Sequence, residues 1–511
     1  MFHLSRIVER ALRLHGDRPA IVDGDTRMDY RGLMGRAYRL AGALAGMGLR
    51  PGDRVAVFDR NSFRYLELNY ACALAGFVLV PLNLRLSVVE IGAILDSVEA
   101  GALFVGGAHA ARLAGLPPRC PTFGWGDADG LGVDNDYERL LAGAAPYDGP
   151  IGADVDAVAQ IFFTSGTTGD PKGVCLTSRN LVTSAFDSII ALEVSRDDVW
   201  FHAAPMFHLV DAFAVWTMSL VGCRHVAAHF DEEGFVRAVR DEKVTKTSLP
   251  PTLINMIAQS GAKRADLASL TRISYGGSPM PEAVYERARQ TFDALLLAAY
   301  GISEVSGLVC QQVPDDLAPG SAAPWRGVGQ AVAHIDLGIV DDDGNMLPAG
   351  EPGEIVVRGD RVMAGYWRKP EATAAAIRQG WYHTGDIGSI DERGHLVILD
   401  RKKDMIITGG ENVYSAEVEN ALSRHPDVVE AAVFGVPSER WGEEVKAVVY
   451  LREGASATSA DLIDHCRRLI GGYKVPKSVD IERVPLPKSG PGKIAKHLLR
   501  EPHWAGRRLK I

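Results

Sequence analysis

Short runs of β-branched and aromatic residues alternate with stretches of helical periodicity through most of the chain. Arg54-Val-Ala-Val-Phe58, Ala102-Leu-Phe-Val105 and Val158 to Phe163 read as buried strands. Arg31 to Met47 and Phe235 to Asp241 read as helices lying beside such strands. This alternation predicts an α/β protein whose layers are built on largely parallel sheets. The first residues, MFHLSRIVERALRLHGDRP, read as a short amphipathic helix. No internal repeat or low-complexity tract interrupts the pattern.

The pattern changes near residue 400. Before it, EPGEIVVRGD and HLVILD look like β-rich elements joined by Gly and Asp turns. After it come a helix (Ser415 to Ser423), strands (Val428 to Val436 and Val445 to Leu451) and a helix (Ser459 to Ile470). That length suits a small α+β domain of its own. The division expected is a large multi-layer α/β domain over 1–399, a hinge at 400–404 and a small mobile domain over 405–511. The charged run Asp400-Arg-Lys-Lys-Asp404 marks the junction between apolar strands, although most charge runs are surface turns.

Composition narrows the function classes. At 511 residues the chain exceeds a single hydrophobic core, and 47% hydrophobic against 23% charged residues fits a folded globular protein. A net charge of −9 gives no concentrated basic face and no reason to expect nucleic acid. The six cysteines, Cys72, Cys120, Cys175, Cys223, Cys310 and Cys466, include no CxxC pair. They suit a reducing cytoplasm rather than a disulfide framework or zinc ribbon. The N-terminus lacks the apolar core and cleavage site of a signal peptide. The most apolar run, Tyr70 to Leu82, is short of the roughly 20 residues that span a bilayer.

The densest candidate chemistry is TSGTTGDPKG, residues 164–173, which follows a buried strand. Ligands of α/β proteins bind at such carboxyl ends. Glycines let backbone N–H groups turn inward, hydroxyls add donors and Lys172 adds charge, a combination that can wrap phosphate oxygens. The spacing is not that of a Walker loop, since Pro171 precedes the lysine and Gly173 follows it. Composition alone equally describes a mobile surface loop.

Six further stretches follow in order: Pro205-Met-Phe-His208, Ser274-Tyr-Gly-Gly-Ser-Pro279, Tyr300-Gly-Ile-Ser-Glu304, Trp381-Tyr-His-Thr-Gly-Asp386, Asp400-Arg-Lys-Lys-Asp404 and Lys488-Ser-Gly-Pro-Gly-Lys493. With the loop, this series resembles the adenylate-forming superfamily of acyl-CoA synthetases, peptide-synthetase adenylation domains and luciferases. The resemblance runs essentially end to end and is nearest to free-standing acid–CoA ligases. It implies ATP-dependent conversion of a carboxylic acid to an acyl-adenylate with pyrophosphate release. Transfer to coenzyme A then yields acyl-CoA and AMP. The substrates implied are an acid, ATP and CoA, with Mg²⁺, at a site between the two domains.

The same resemblance assigns residues. Thr164, Ser165, Gly166, Thr167, Thr168 and Gly169, assisted by Lys172, would hold the β- and γ-phosphates. Glu304 would position Mg²⁺, and Ser303, where threonine is usual, would contact the α-phosphate. Gly276, Gly277 and Ser278 with Tyr300 and Gly301 resemble the adenine wall. Asp386 and Arg401 would take the ribose hydroxyls. His208 would lie beside the substrate carboxylate, and Lys493 would reach between carboxylate and α-phosphate. Asp400 would be the pivot that exchanges Lys493 for the Gly409-Gly410 passage used by the thiol, with Trp441, Lys446 and Lys474 facing CoA. Ser415, where proline is common, would loosen that loop, and Lys496 stands where arginine is frequent.

The acid pocket expected comprises Phe207, His208, Asp211, Gly277 and Gly307, with Asp211 facing an amino or hydroxyl group or else solvent. His225-Val-Ala-Ala-His229 has i,i+4 spacing but reads as a strand without the glutamate of a zinc site. Four matters stay open: a fatty, aromatic or amino-substituted acid; CoA against a carrier-protein thiol, an amine or another small nucleophile such as nitrite; monomer against homodimer; and the pathway.

Overall fold

The structure is a computed structural model that describes residues 2–126, 136–152, 154–164, 171–228, 230–317, 327–409, 411–489 and 493–504. Two large sheets carry most of the chain before residue 330. The parallel centre of one runs in the order Leu295–Ile302, Arg272–Gly276, Lys246–Leu249, Val199–His202, Arg224–Ala227 and Pro19–Asp23. The parallel centre of the other runs Val158–Thr164, Val78–Pro81, Arg54–Phe58, Ala100–Gly106 and Thr122–Trp125. Strands such as Arg54–Phe58 are buried on both faces by helices, which explains their unbroken apolar sequence.

The helices between these strands start where the sequence supplies a cap. Ser62 accepts from the Tyr65 N–H to open Phe63–Ala75, and Thr177 forms a reciprocal capping box with Asn180 to open Ser178–Ala191. The amphipathic N-terminal segment forms the helix Leu4–His15, with Leu4, Ile7, Val8 and Ala11 buried. Fully burying an aliphatic side chain of this size contributes roughly 1.5–3 kcal/mol.

A third sheet departs from the parallel expectation. Asp336–Val340, Gly353–Arg358, Trp381–Ile390 and Leu396–Arg401 pair antiparallel, in the region where Gly and Asp turns separate short strands. Asp400 and Arg401 are the last two residues of this sheet's strand, not the start of a free polar turn. Asp400 is buried and accepts hydrogen bonds from the Ser415 N–H and, at 3.0 Å, the Ser415 hydroxyl.

Past that point a separate core forms around Ile406, Val418, Leu422, Val433, Val445, Leu462 and Val479. It lies between the helices Ser415–Ser423 and Ser459–Arg467 and a sheet of Glu411–Val413, Ile406–Thr408, Gly442–Leu451, Val428–Ser438 and Ser478–Glu482. The molecule is therefore a large α/β unit followed by a small α+β unit. The Arg424–Glu282 ion pair at 2.8 Å joins the two. No helix among the described residues is long and apolar enough to cross a membrane.

Candidate active site

Five separated segments bring their polar groups to one place. The strand Leu295–Ile302 carries Tyr300, whose hydroxyl donates to Asp386 Oδ2 at 2.6 Å. Asp386 stands opposite Arg401 across the strand pair, and Arg401 Nε lies 3.6 Å from Asp386 Oδ1. Beyond Tyr300 the chain makes a short 3-10 turn, Ser303–Val305, which turns Glu304 toward Tyr366. The Tyr366 hydroxyl donates to Glu304 Oε1 at 2.9 Å, and the Lys172 ammonium lies 5.0 Å from the centre of the Tyr366 ring. Tyr382 is buried on the Asp386 strand, and burial, then the Glu304 charge, holds its hydroxyl far above the usual phenol range.

The electrostatics follow from this crowding. Burial raises the Glu304 carboxyl above its ordinary value; its bond to Tyr366 opposes the rise, Asp386 adds to it and Lys172 offsets it. Burial, then the Asp386 charge, holds the Tyr300 hydroxyl far above the usual phenol range, so it stays a donor. Two neighbouring carboxylates, faced by Lys172 and Arg401, form a site suited to a polyanion carrying a cation.

The glycines are shaped by close approach. A Cβ on Gly276 would stand 2.4 Å from the Ala299 carbonyl oxygen, and one on Gly301 would stand 2.6 Å from that of Gly307. Gly277 follows with φ +82° and an exposed face, and Ser278 is half-buried beside it. The wall expected against a planar base is thus bare backbone at the end of a parallel strand, one strand away from Tyr300.

His208 opens the helix Leu209–Val221 with extended backbone, its carbonyl accepting from the Asp211 and Ala212 N–H groups. Its ring lies 4.7 Å from that of Phe207. Gly307 packs near this helix start, at the Leu209 carbonyl. Asn61, which sequence reasoning missed, fixes the approach: its amide donates to the His202 and Ala204 carbonyls and accepts from the Met206 N–H. Tyr366 and Tyr382 were missed as well, although Tyr382 lies within the Trp381–Asp386 stretch.

Asp211 does not belong to a substrate pocket. It is 0% exposed, and its two oxygens take hydrogen bonds from Trp200 Nε1 at 3.0 Å and His202 Nδ1 at 2.7 Å. His202 continues to His225 at 2.9 Å, and His225 to the Ser219 hydroxyl at 3.2 Å. His225 is therefore engaged in a buried network, while His229 lies outside the described residues.

In the small unit, Gly409 (φ +61°) meets Trp441: a Cβ there would stand 2.9 Å from the indole. Lys474 faces Glu417 at 2.7 Å. Lys446 departs from its expected place at a CoA passage, because it is buried with its ammonium 2.8 Å from Asp480. Ser415 also departs from expectation. It ties down Asp400 rather than loosening the loop, and the Lys496 ammonium joins the Ser415 hydroxyl (2.7 Å) and Glu419 (2.7 Å). Lys493 pairs through its backbone with Ser489 in a short hairpin. Its side chain lies outside the described residues, as do Ser165, Gly166, Thr167, Thr168, Gly169 and Gly410. Thr164 and Lys172, at the two ends of that loop, pair across an antiparallel hairpin.

The sequence pattern of the AMP-binding enzymes matches residues 8–367, and that of the AMP-binding enzyme C-terminal domain matches residues 417–493. The chain belongs to the AMP-binding enzyme family. It is 38% identical to a feruloyl-CoA synthase of Amycolatopsis over 96% of this chain and 97% of that protein. Its fold superposes on ATP-bound MatB from Rhodopseudomonas palustris with a TM-score of 0.88 and 30% identity, covering 98% of this chain and 99% of that one. The amide bond synthetase McbA from Marinactinospora thermotolerans gives 0.87 and 30% over the same shares. The AMP-binding pattern spans the Tyr300, Glu304 and Tyr366 segments of the site; Asp386 and Arg401 fall between the two matched regions.

Proposed function

We propose that this protein is an AMP-forming acid–CoA ligase. The observation that carries the reading is the convergence of Glu304, held by Tyr366, and Asp386, held by Tyr300, between Lys172 on one side and Arg401 on the other. A carboxylate resists nucleophiles because its oxide leaves poorly. Attack of the acid's oxygen on the α-phosphorus of ATP breaks the bond to pyrophosphate and forms an acyl-adenylate. The CoA thiolate then attacks the carbonyl, AMP leaves and a thioester remains. Such transfer needs charge neutralisation and positioning more than covalent help.

On this reading Asp386 accepts the two ribose hydroxyls, with Tyr300 fixing the orientation of its carboxylate and Arg401 supporting it. Gly276, Gly277 and Ser278 line the base. Glu304, whose Oε1 is held by Tyr366, offers the hard oxygen that Mg²⁺ takes alongside phosphate and water ligands. Magnesium bound there supplies charge neutralisation on the departing pyrophosphate. Ser303 and the 164–169 loop with Lys172 hold the phosphates, and Lys493 steadies the oxygens of the bond being formed. Phe207, His208 and Gly307 sit where the acid enters. The boundaries 1–399, 400–404 and 405–511, with Asp400 as pivot, belong to the same reading, as does a cytoplasmic setting in which the six cysteines stay reduced.

A panel of acids incubated with ATP, Mg²⁺ and CoA tests this. Hydroxycinnamic acids come first, because the feruloyl-CoA synthase relative is named for one. AMP release that requires both an acid and CoA is the expected result. The resemblance to an amide bond synthetase supports one rival, in which an amine is the acceptor. Acid-dependent AMP release unchanged by CoA but raised by an added amine selects that rival.

A further inference from the structure

The helix Ser178–Ala191 begins directly after the strand that carries Lys172. Three of its polar residues, Asn180, Ser184 and Asp187, fall at i, i+4 and i+7 and share one buried face. They do not face water: Ser184 grips the turn that follows Glu304, while Asn180 and Asp187 grip the 360–362 segment bonded to that turn. Asn180 Nδ2 donates to the Asp360 and Val362 carbonyls at 2.8 and 3.0 Å. The Ser184 hydroxyl donates to the Ser306 carbonyl at 2.8 Å.

Asp187 accepts from Arg361 Nη1 at 3.1 Å through Oδ2, while its Oδ1 lies 2.6 Å from His334 Nδ1. Arg361 is 0% exposed, and its Nη2 reaches both the Ser184 hydroxyl (3.0 Å) and the Ser306 carbonyl (3.1 Å). A buried guanidinium without good partners is costly, and here its fork spans three groups at once.

The gripped turn is a strained one. Ser306 is a non-glycine residue at φ +54°, two positions after Glu304. Its hydroxyl donates to the Arg361 carbonyl at 2.8 Å, and the Met363 N–H donates to the Glu304 carbonyl at 2.8 Å. The 361–363 segment is thus laced to 304–306 by two backbone groups, the Arg361 carbonyl and the Met363 N–H. It continues to Tyr366, which holds the Glu304 carboxylate itself.

We propose that Arg361 is a positioning residue. Together with Asn180, Ser184 and Asp187 it fixes the Glu304 carboxylate relative to the phosphate-binding hairpin, and so sets how well Mg²⁺ and ATP are engaged in the adenylation step. This rests on the reading of Glu304 as the magnesium-positioning carboxylate.

The test measures both half-reactions in the full-length protein: pyrophosphate formation across a Mg²⁺ titration, and thioester formation from supplied acyl-adenylate and CoA. Arg361→Met should lower adenylation by on the order of 100-fold, as expected when a catalytic group is displaced by about 1 Å. Half-saturating Mg²⁺ should rise about tenfold, with the thioester step changed by less than about twofold. Ser184→Ala, which strands no buried charge and so protects against a folding failure, should move both quantities the same way by about threefold.

Equal loss of both half-reactions, or an unaltered Mg²⁺ half-saturation in the folded Ser184→Ala protein, overturns the proposal. Glu304→Gln separates the two levels. If it raises the Mg²⁺ requirement while the Arg361 and Ser184 variants do not, the clamp alone is wrong. If Glu304→Gln leaves the requirement unchanged, the reading of Glu304 falls and takes the clamp with it.

Discussion

Asp386→Ala removes a carboxylate that serves the fold and the ligand separately, and the two effects have different sizes. In the free protein the Tyr300 hydroxyl, now donating to Asp386 at 2.6 Å in a buried setting, loses its acceptor. An orphaned buried hydroxyl costs roughly 1–3 kcal/mol, so thermal stability should fall measurably while the fold survives. In the complex, two ribose hydroxyls lose an ionised acceptor worth about 1.5 kcal/mol or more each. About 3 kcal/mol corresponds to weakening of ATP on the order of 100-fold. Acid-dependent ATP–pyrophosphate exchange reads this as a raised KM for ATP, with KM for the acid within about threefold of its starting value. Tyr300→Phe keeps the carboxylate and loses only its orientation, so a rise of about tenfold is expected. A folded Asp386→Ala protein whose KM for ATP is unchanged would refute the ribose assignment and with it the placement of the nucleotide.

Other consequences are equally open to measurement. Lys493→Ala should abolish adenylate formation while thioester formation from supplied acyl-adenylate stays within about twofold, and parallel loss of both contradicts a lysine used in one step only. Lys496→Met leaves buried Asp400 and half-buried Glu419 without their cation and should destabilise the small unit by about 3 kcal/mol in calorimetry; a shift below about 0.5 kcal/mol counts against the link. Asp59, 3% exposed, is pushed by burial from 3.8 up to about 6. Because the folded state holds this proton more tightly than the unfolded one, its contribution is full below about pH 4 and disappears as pH rises through 6. Relative to Asp59→Asn, the unsubstituted protein should therefore lose about 3 kcal/mol of stability between pH 3 and pH 7; a pH-independent difference contradicts the shift.

How much of this was readable beforehand depended on the range of the forces involved. Arg54–Phe58 and Ser415–Ser423 were legible to the residue because local periodicity and flanking polar residues fix such elements. The motif residues Tyr300, Glu304, Asp386 and Arg401 were legible as a set, and the fold brings them together. Asp211 was misread because an acid within an apolar helix looks like a lining residue; its partners, Trp200 and His202, come from a strand whose own sequence reads as plain core. Lys446 failed similarly, since Asp480 reaches it only through parallel pairing with a strand some thirty residues on. Arg361, in the polar-looking stretch Arg358-Gly-Asp-Arg361, gave no sign of burial, which is set by the distant helix bearing Ser184 and Asp187.

The central claim is that the site formed by Glu304 and Asp386 seats an acyl-adenylate. A crystal structure with a non-hydrolysable acyl-adenylate mimic tests it most directly. The account predicts both ribose hydroxyls on the Asp386 carboxylate, the base along Gly276 and Gly277, the acyl group entering beside His208 and Gly307, and the Lys493 ammonium at the acyl–phosphate linkage. A mimic bound elsewhere, with Asp386 still paired only to Tyr300 and Arg401, would contradict it.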